Sequence, residues 1–570
     1  MPVLKRKGKS QDTIKNLVKD PALFLSVAII WLFLLLFVFY PLFKILMMII
    51  TEDGQFDLSV FGEMLMNKYT IKSAFNSILL GTLVGICGTA LGFFFAFTSV
   101  RANLSKWVSR ILDWVIILPL ISPPFTMAIT VIFSFGPNGL ITHNILGLEN
   151  FNVYGMWSTL FAETITYFPI SYITLKAILA GIDPTVEDMA FSLGSSRWKV
   201  FRKVTFPLST SGLANSFLLL FAASLADFAT PLILAGNSFP LLPTEAFLQI
   251  TGLFDMKGGA ILSFVLLIPS MIVFFLQRYL VSRRNFVTIT GKSGSQTKFK
   301  SVGNKVRYIF LGFCVLMVLF ILYFYVLLVY ASLMKAFGAD HTLTFNHYME
   351  IFTNGRKAIF DTLFIAFVGM IVGGLYGVIV GYITSKKKFI SRKFMEIASM
   401  INYSLPGTIV GIAYLIAFNN KPFVFTGTAI IIILCNVSKY GANGIRSTVA
   451  ILQQIHPSIE EASESLGASQ VHTFRKITIP LILPGLFSGL GLVFIRSMTA
   501  ISATIFLVSL NWTLITVRIL ENMTELQLGV SAAFSVLVVV IVFLVTTGIT
   551  CTLKLFRQKG SMRMSSLFGS

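Results

Sequence analysis

Four charged residues lie inside runs that are otherwise apolar: Glu163 in AETITYFP, Asp227 in SLADFATP, Lys439 in VSKYGANG and Arg496 in FIRSMTAISATIF. Charge is costly inside a membrane, so each is a candidate for handling an ion or polar solute. Two polar, basic stretches also interrupt the apolar runs: EDMAFSLGSSRWKVFRKVTFPL from Glu187 to Leu208, and EEASESLGASQVHTFRKITIPL from Glu460 to Leu481. Nothing in either set makes a catalytic centre. Gly-Lys-Ser occurs at Gly8 to Ser10 and Gly291 to Ser293, but neither has the glycine five residues earlier that a phosphate-cradling loop needs. Cys87, Cys314, Cys435 and Cys551 fall in apolar runs as small hydrophobes, and His143, His341 and His347 are too scattered for metal-ligand spacing. The expectation is a chain with no metal or cofactor of its own that moves a solute without changing it covalently.

The elements that must position these residues follow from composition. Of 570 residues, 55% are hydrophobic and 12% charged, and the mean hydropathy is +0.82. A soluble chain carries about a quarter charged residues. Runs such as LFLSVAIIWLFLLLFVFY recur along the sequence, and about 20 apolar residues span a bilayer core as a helix. The fold class is all-α and polytopic in the membrane. Twelve crossings are expected, near 22–48, 72–98, 111–134, 156–180, 209–236, 259–281, 307–333, 358–384, 395–418, 424–450, 482–510 and 527–555. The net charge of +21 would suggest nucleic acid on a soluble protein. Here the basic residues sit in short segments between apolar runs, as the positive-inside rule requires. Residues 1–20 hold six Lys or Arg, residues 282–307 hold seven, and residues 135–155 hold none. Both termini are expected on the cytoplasmic side, with a retained first crossing rather than a cleaved signal.

The chain is duplicated. At an offset of 273, Glu187 matches Glu460, Gly194 matches Gly467, Phe201 matches Phe474 and Pro207 matches Pro480. Upstream, SPPF at Ser122 matches SLPGT at Ser404, and FNSI at Phe75 matches FDTL at Phe360. Two six-crossing halves in tandem are implied, related by an axis along the membrane normal. The expected segments are a tail over 1–21, a first half over 22–281 with its polar loop at 182–207, and a Ser- and Gly-rich linker over 282–306. A second half over 307–555 with its loop at 455–480 and a C-terminal tail over 556–570 complete the chain.

Within each loop, Asp183 can cap a helix, Pro184 suits its first turn, and Glu187 and Asp188 complement the positive end of its dipole. Gly194 can end that helix in the left-handed conformation, and Pro207 precedes the next crossing. Pro457, Glu460, Glu461 and Gly467 repeat the design. A helix–glycine–helix element with acidic groups on its first helix is expected to dock another protein. Ordinary amphipathic loops would explain one copy, not two with matched spacings.

These residues resemble the EAA motif of permeases from type I binding-protein-dependent ABC importers: Gly seven residues after the Glu, and Pro thirteen after the Gly. Both copies keep both spacings, although Asp188 and Met189 replace the usual small residues in the first. The resemblance implies the MetI-like permease fold in a bacterial inner membrane. It also implies coupling through Glu187, Asp188, Gly194, Phe201, Pro207, Glu460, Glu461, Gly467, Phe474 and Pro480. Two copies of a separate ATPase would bind ATP and Mg, and an extracytoplasmic binding protein would deliver substrate. ADFATPLILAGN, from Ala226 to Asn237, is similar to a segment of ferric-iron permeases, with aminoethylphosphonate, thiamine or polyamine as alternative cargo. An ion-coupled secondary transporter, or a channel or scaffold, is the competing class, and neither needs the paired loops.

The intramembrane charges carry a further expectation. At the repeat offset Glu163 corresponds to Asn436, three residues before Lys439, and Asp227 to Ala500, one turn from Arg496. Tyr167 and Tyr440 are mates. Acids of one half and bases of the other are expected to meet near the pseudo-two-fold axis and close or line the path. The alternative is that they form structural pairs or sit nearer the ends of their crossings.

Overall fold

In lipid, the backbone has no water to satisfy its polar groups, so apolar sequence of this length resolves into helices. The computed structural model describes residues 21–52, 54–148, 151–283, 303–387, 389–453, 455 and 458–568. The N-terminal tail, most of the linker and Pro457 lie outside the described residues. Among the described residues eight helices are long and apolar enough to cross a membrane, and up to eleven crossings result if each bent pair counts as one.

The all-α membrane fold in two tandem halves is as expected, and the crossings differ from the sequence reading in their bounds. The crossing expected over 111–134 breaks between Lys106–Ile121 and the following helix with a 99° bend, and that over 395–418 breaks between Arg392–Ser404 and Gly407–Phe418 with a 103° bend. The breaks fall at SPPF and SLPGT, where proline lacks an amide hydrogen and forces the preceding residue out of the helical region. The crossings expected over 209–236 and 482–510 end early, as helices Phe206–Ala226 and Ile479–Met498. Ala429–Leu452 is a 24-residue helix whose Asn436, Lys439, Asn443 and Arg446 make it too polar to count with the others. The last helix, Leu528–Phe568, runs past the expected edge at 555.

Each half is built on three helices in mutual contact. They are Lys68–Arg101, Met156–Ala180 and Phe206–Ala226 in the first, and Arg356–Lys386, Ala429–Leu452 and Ile479–Met498 in the second. Lipid tails are as apolar as the helices, so association rests on close packing and interhelical hydrogen bonds. Glycines supply the closeness: a Cβ on Gly377 would stand 2.7 Å from the Gly444 backbone.

The halves are also interlocked. The first helix, Leu23–Ile50, packs on the second half, where Phe33 lies 5.0 Å from Tyr376 and Phe37 5.6 Å from Phe418, centroid to centroid. The second half's first helix, Asn304–Leu333, packs on the first half, with Phe310 4.7 Å from Phe94 and Phe324 5.8 Å from Phe161. Leu35–Phe39 forms a π-helical turn, a local insertion that loosens the backbone ladder. The Phe37 carbonyl there accepts from Tyr414 Oη at 2.7 Å and Asn402 Nδ2 at 3.0 Å. On the opposite side, Tyr325 Oη and Ser122 Oγ are hydrogen-bonded at 2.7 Å.

Gly377→Ala should push two core helices apart and cost about 1–3 kcal/mol, as overpacking does. A lower thermal midpoint of the purified chain reads this out. Gly312→Ala is the control, because a Cβ there meets nothing within 4 Å, and its midpoint should be unchanged or higher.

Candidate functional site

The two polar loops fold alike, element by element. In the first, Asp183 accepts the Thr185 amide at 2.9 Å and caps the helix Pro184–Ser192. Those hydrogen bonds hold its carboxyl below the ordinary value for aspartate. Gly194, at φ +78°, ends the helix, Ser196 caps the short helix Arg197–Val200, and a π-helical turn at Phe201–Thr205 leads into Phe206–Ala226. In the second, Ser458–Ser465 ends at Gly467 with φ +83°, followed by Gln470–Thr473 and a π-helical turn at Phe474–Thr478. Any side chain but glycine's would strain the backbone at both corners.

Glu187, which the resemblance implies couples the chain to an ATPase, faces inward and is 5% exposed. Its Oε1 accepts from Arg101 Nη2 and from Thr205 Oγ1, both at 2.8 Å. Arg101 is the last residue of Lys68–Arg101, so the pair ties the loop to the end of a core helix. The physical reason is cost: a buried carboxylate needs a paired cation and further hydrogen bonds, and this position supplies both. Phe201 anchors the loop beside it, 5.4 Å from Phe97 and stacked 5.5 Å from Trp198. Asp188 is half-buried, Pro207 and Pro480 are exposed, and Glu461 is exposed; the side chains of Glu460 and Phe474 lie outside the described residues. By the repeat, Thr478 and Lys386 stand where Thr205 and Arg101 stand in the first half.

Sequence reasoning missed the residues that the loops do present. Leu193 is 86% exposed and Leu466 is 88% exposed, each directly before the corner glycine. The signal was there: Ser-Leu-Gly is the one tripeptide that both copies share around that corner.

At the seam between the halves the charges do not pair with one another. Asp227 follows the Phe206–Ala226 helix, so it sits at the end of its crossing. Its Oδ1 accepts the amides of Ala229 at 3.0 Å and Thr230 at 3.3 Å, and its Oδ2 accepts Tyr167 Oη at 2.9 Å. Glu163 is fully buried and accepts from Ser224 Oγ. Lys439 Nζ donates to the carbonyls of Leu405 at 2.6 Å and Asn402 at 3.4 Å, at the broken crossing. No ion pair among the described residues joins the acids to Lys439 or Arg496. The expected pairing is corrected for a physical reason: helix breaks free backbone amides and carbonyls, and these satisfy Asp227 and Lys439 within their own halves.

The halves nevertheless meet here. Arg496 is half-buried in the last turn of Ile479–Met498. The mates of Glu163 and Ser224 are the buried, neutral Asn436 and Ser497. Just beyond Asp227, Phe247 lies 5.1 Å from Phe228 and 5.9 Å from Phe506 of the second half. This aromatic contact bridges the halves at the end opposite the polar loops. Among the described residues no group of three His, Cys, Asp or Glu side chains could hold a metal ion.

Comparison with known proteins agrees with this architecture. The profile of the family described as "Binding-protein-dependent transport system inner membrane component" matches residues 88–286 and again 373–553. The ferric transport system permease protein FbpB of Actinobacillus pleuropneumoniae is 32% identical, over 92% of this chain and 77% of that protein. The Fe(3+)-transport system permease protein FbpB 2 of Haemophilus influenzae is 22% identical, over 89% of this chain and 96% of its own length.

Removing one partner of the Arg101–Glu187 pair should cost about 3–5 kcal/mol, because it strands a buried charge. Arg101→Met alone is therefore expected to lower the thermal midpoint of the purified chain sharply. Adding Glu187→Met should recover most of that loss, so a double variant no better than the single would show that the pair is not coupled.

Proposed function

The chain belongs to the binding-protein-dependent transport system inner membrane components, and on that premise we propose that it is the permease of an ATP-driven importer of ferric iron. The observation that carries the cargo assignment is likeness along nearly the whole chain, both halves included, to a ferric transport permease. Ferric iron is a hard cation that favours oxygen donors, and Glu163, Tyr167 and Asp227 bring two carboxyls and a phenol to one side of the seam.

In this reading both termini and both polar loops face the cytoplasm. Two copies of a partner ATPase lie there, one under each loop, and they hold ATP and Mg. Leu193 and Leu466 enter the ATPase surface as apolar contacts. Glu187 acts one step behind them as a positioning residue: a push on the first loop reaches the core helix through Arg101, and Glu460 is the corresponding residue of the second. Asp188, Glu461, Gly194, Gly467, Phe201, Phe474, Pro207 and Pro480 shape and anchor the loops. ATP favours one arrangement of the halves over the other, which is all that alternating access requires. An extracytoplasmic binding protein delivers the cargo where Phe247 meets Phe506, and Tyr167, Asp227, Tyr440 and Arg496 line the path below, with Glu163 and Lys439 behind them.

Labelled ferric-iron uptake in cells lacking the chain tests the cargo. Restoration by the wild type is expected; no restoration, with uptake of aminoethylphosphonate or thiamine instead, would reassign the cargo. Leu193→Asp with Leu466→Asp tests the contact with the ATPase. Exposed substitutions shift stability by only about 0.5 kcal/mol, so the variant should reach the membrane normally yet fail to co-purify with the ATPase. Normal co-purification would remove both leucines from that interface.

A further inference from the structure

A second matched pair stands at the end of the molecule opposite the polar loops. In the first half the helix Leu242–Thr251 turns into Met256–Arg283 through Phe254, and in the second Ile515–Thr524 turns into Leu528–Phe568 through Leu526. The two corner residues are 272 positions apart, within one residue of the repeat offset. Both have left-handed backbone, with φ +56° at Phe254 and +62° at Leu526. Glycine is the default residue at such a helix end, because a Cβ there crowds the following carbonyl. Both corners also close with similar backbone bonds: the Asp255 amide reaches the Gln249 carbonyl at 2.8 Å, and the Gln527 amide reaches that of Asn522 at 2.7 Å.

Among the described residues nothing covers either corner side chain. Phe254 and Leu526 are each 82% exposed, and Leu253 beside the first is 69% exposed. Both halves hold a bulky apolar side chain outward on a backbone that glycine would occupy more easily. A partner that takes up those side chains accounts for this. The place in the fold says which partner. The Leu242–Thr251 helix packs against Gly407–Phe418 of the other half, and its Phe247 meets Phe506 across the seam. Phe254 lies three residues beyond the end of that helix.

We propose that Phe254 and Leu526 are the paired apolar contacts on which the extracytoplasmic binding protein docks, one in each half, on either side of the seam it must open. This rests on the importer reading given above. Docking on both corners would load the helix that carries Phe247, so delivery and opening of the aromatic contact would be linked.

The test is the double variant Phe254→Gly and Leu526→Gly, held with its ATPase in lipid nanodiscs and in cells. Glycine relieves the corners, so the thermal midpoint should be unchanged or higher. Affinity for the importer's purified, iron-loaded binding protein should fall by about tenfold or more, as for loss of a buried apolar anchor. Ferric-iron uptake should fall at limiting binding protein and recover in excess. Unchanged affinity would overturn the proposal. So would a lowered midpoint with unchanged affinity, which would make the side chains lipid anchors or structural residues. A wild type that imports no ferric iron but still binds its own binding protein would overturn the cargo and leave the contact standing; one that binds no such protein would overturn both.

Discussion

A helix broken inside a membrane leaves amides and carbonyls with no water to satisfy them, and much of this molecule is arranged around settling that debt. The breaks at SPPF, at Asp227 and at Leu405–Pro406 are where polar side chains gather. Asp227 takes two amides freed beyond its own helix, and Lys439 takes two carbonyls freed beside Pro406. The π-helical turn in the first helix does the same with the Phe37 carbonyl, which two side chains of the other half claim. Groups that read in the sequence as charges awaiting partners are therefore also the ones that make irregular backbone tolerable. Irregular backbone, in turn, gives a polar solute something other than lipid-like surface to meet.

The two halves share a frame but not a chemistry. Three-helix cores, loops and outer corners repeat at nearly constant offset, whereas the buried Glu163–Ser224 contact of one half becomes Asn436 and Ser497 in the other. Acids lie on one side of the seam and bases on the other. Exchange of the first helices ties the halves together, so a relative motion must be carried at the seam and at the loops rather than by separating two independent bundles.

At the loops, the exposed and the buried positions of the motif are different residues. The exposed leucines at the corners can be exchanged for polar groups with little cost to the fold. The buried Glu187 cannot, because its carboxylate shares a pocket with Arg101. A motif whose most conspicuous residue is an acid thus hides that acid and shows a leucine.

The sequence by itself determined a helical membrane chain, its duplication, and the helix–glycine–helix form of both loops. These follow from local causes: apolar length, spacing of Gly and Pro, and caps next to the residues they cap. It could not determine which way Glu187 points, since that depends on the end of a helix 86 residues earlier coming to lie beside it. Nor could it show that Asp227 and Lys439 are satisfied at separate helix breaks, or that the first helix of each half packs on the other. The left-handed corners at Phe254 and Leu526 were hidden for a related reason: the signal for such a corner is glycine, and here it is absent. Tertiary structure decided these points, because a charge or a side chain answers to whatever the fold brings within a few ångströms, and sequence spacing does not measure that distance.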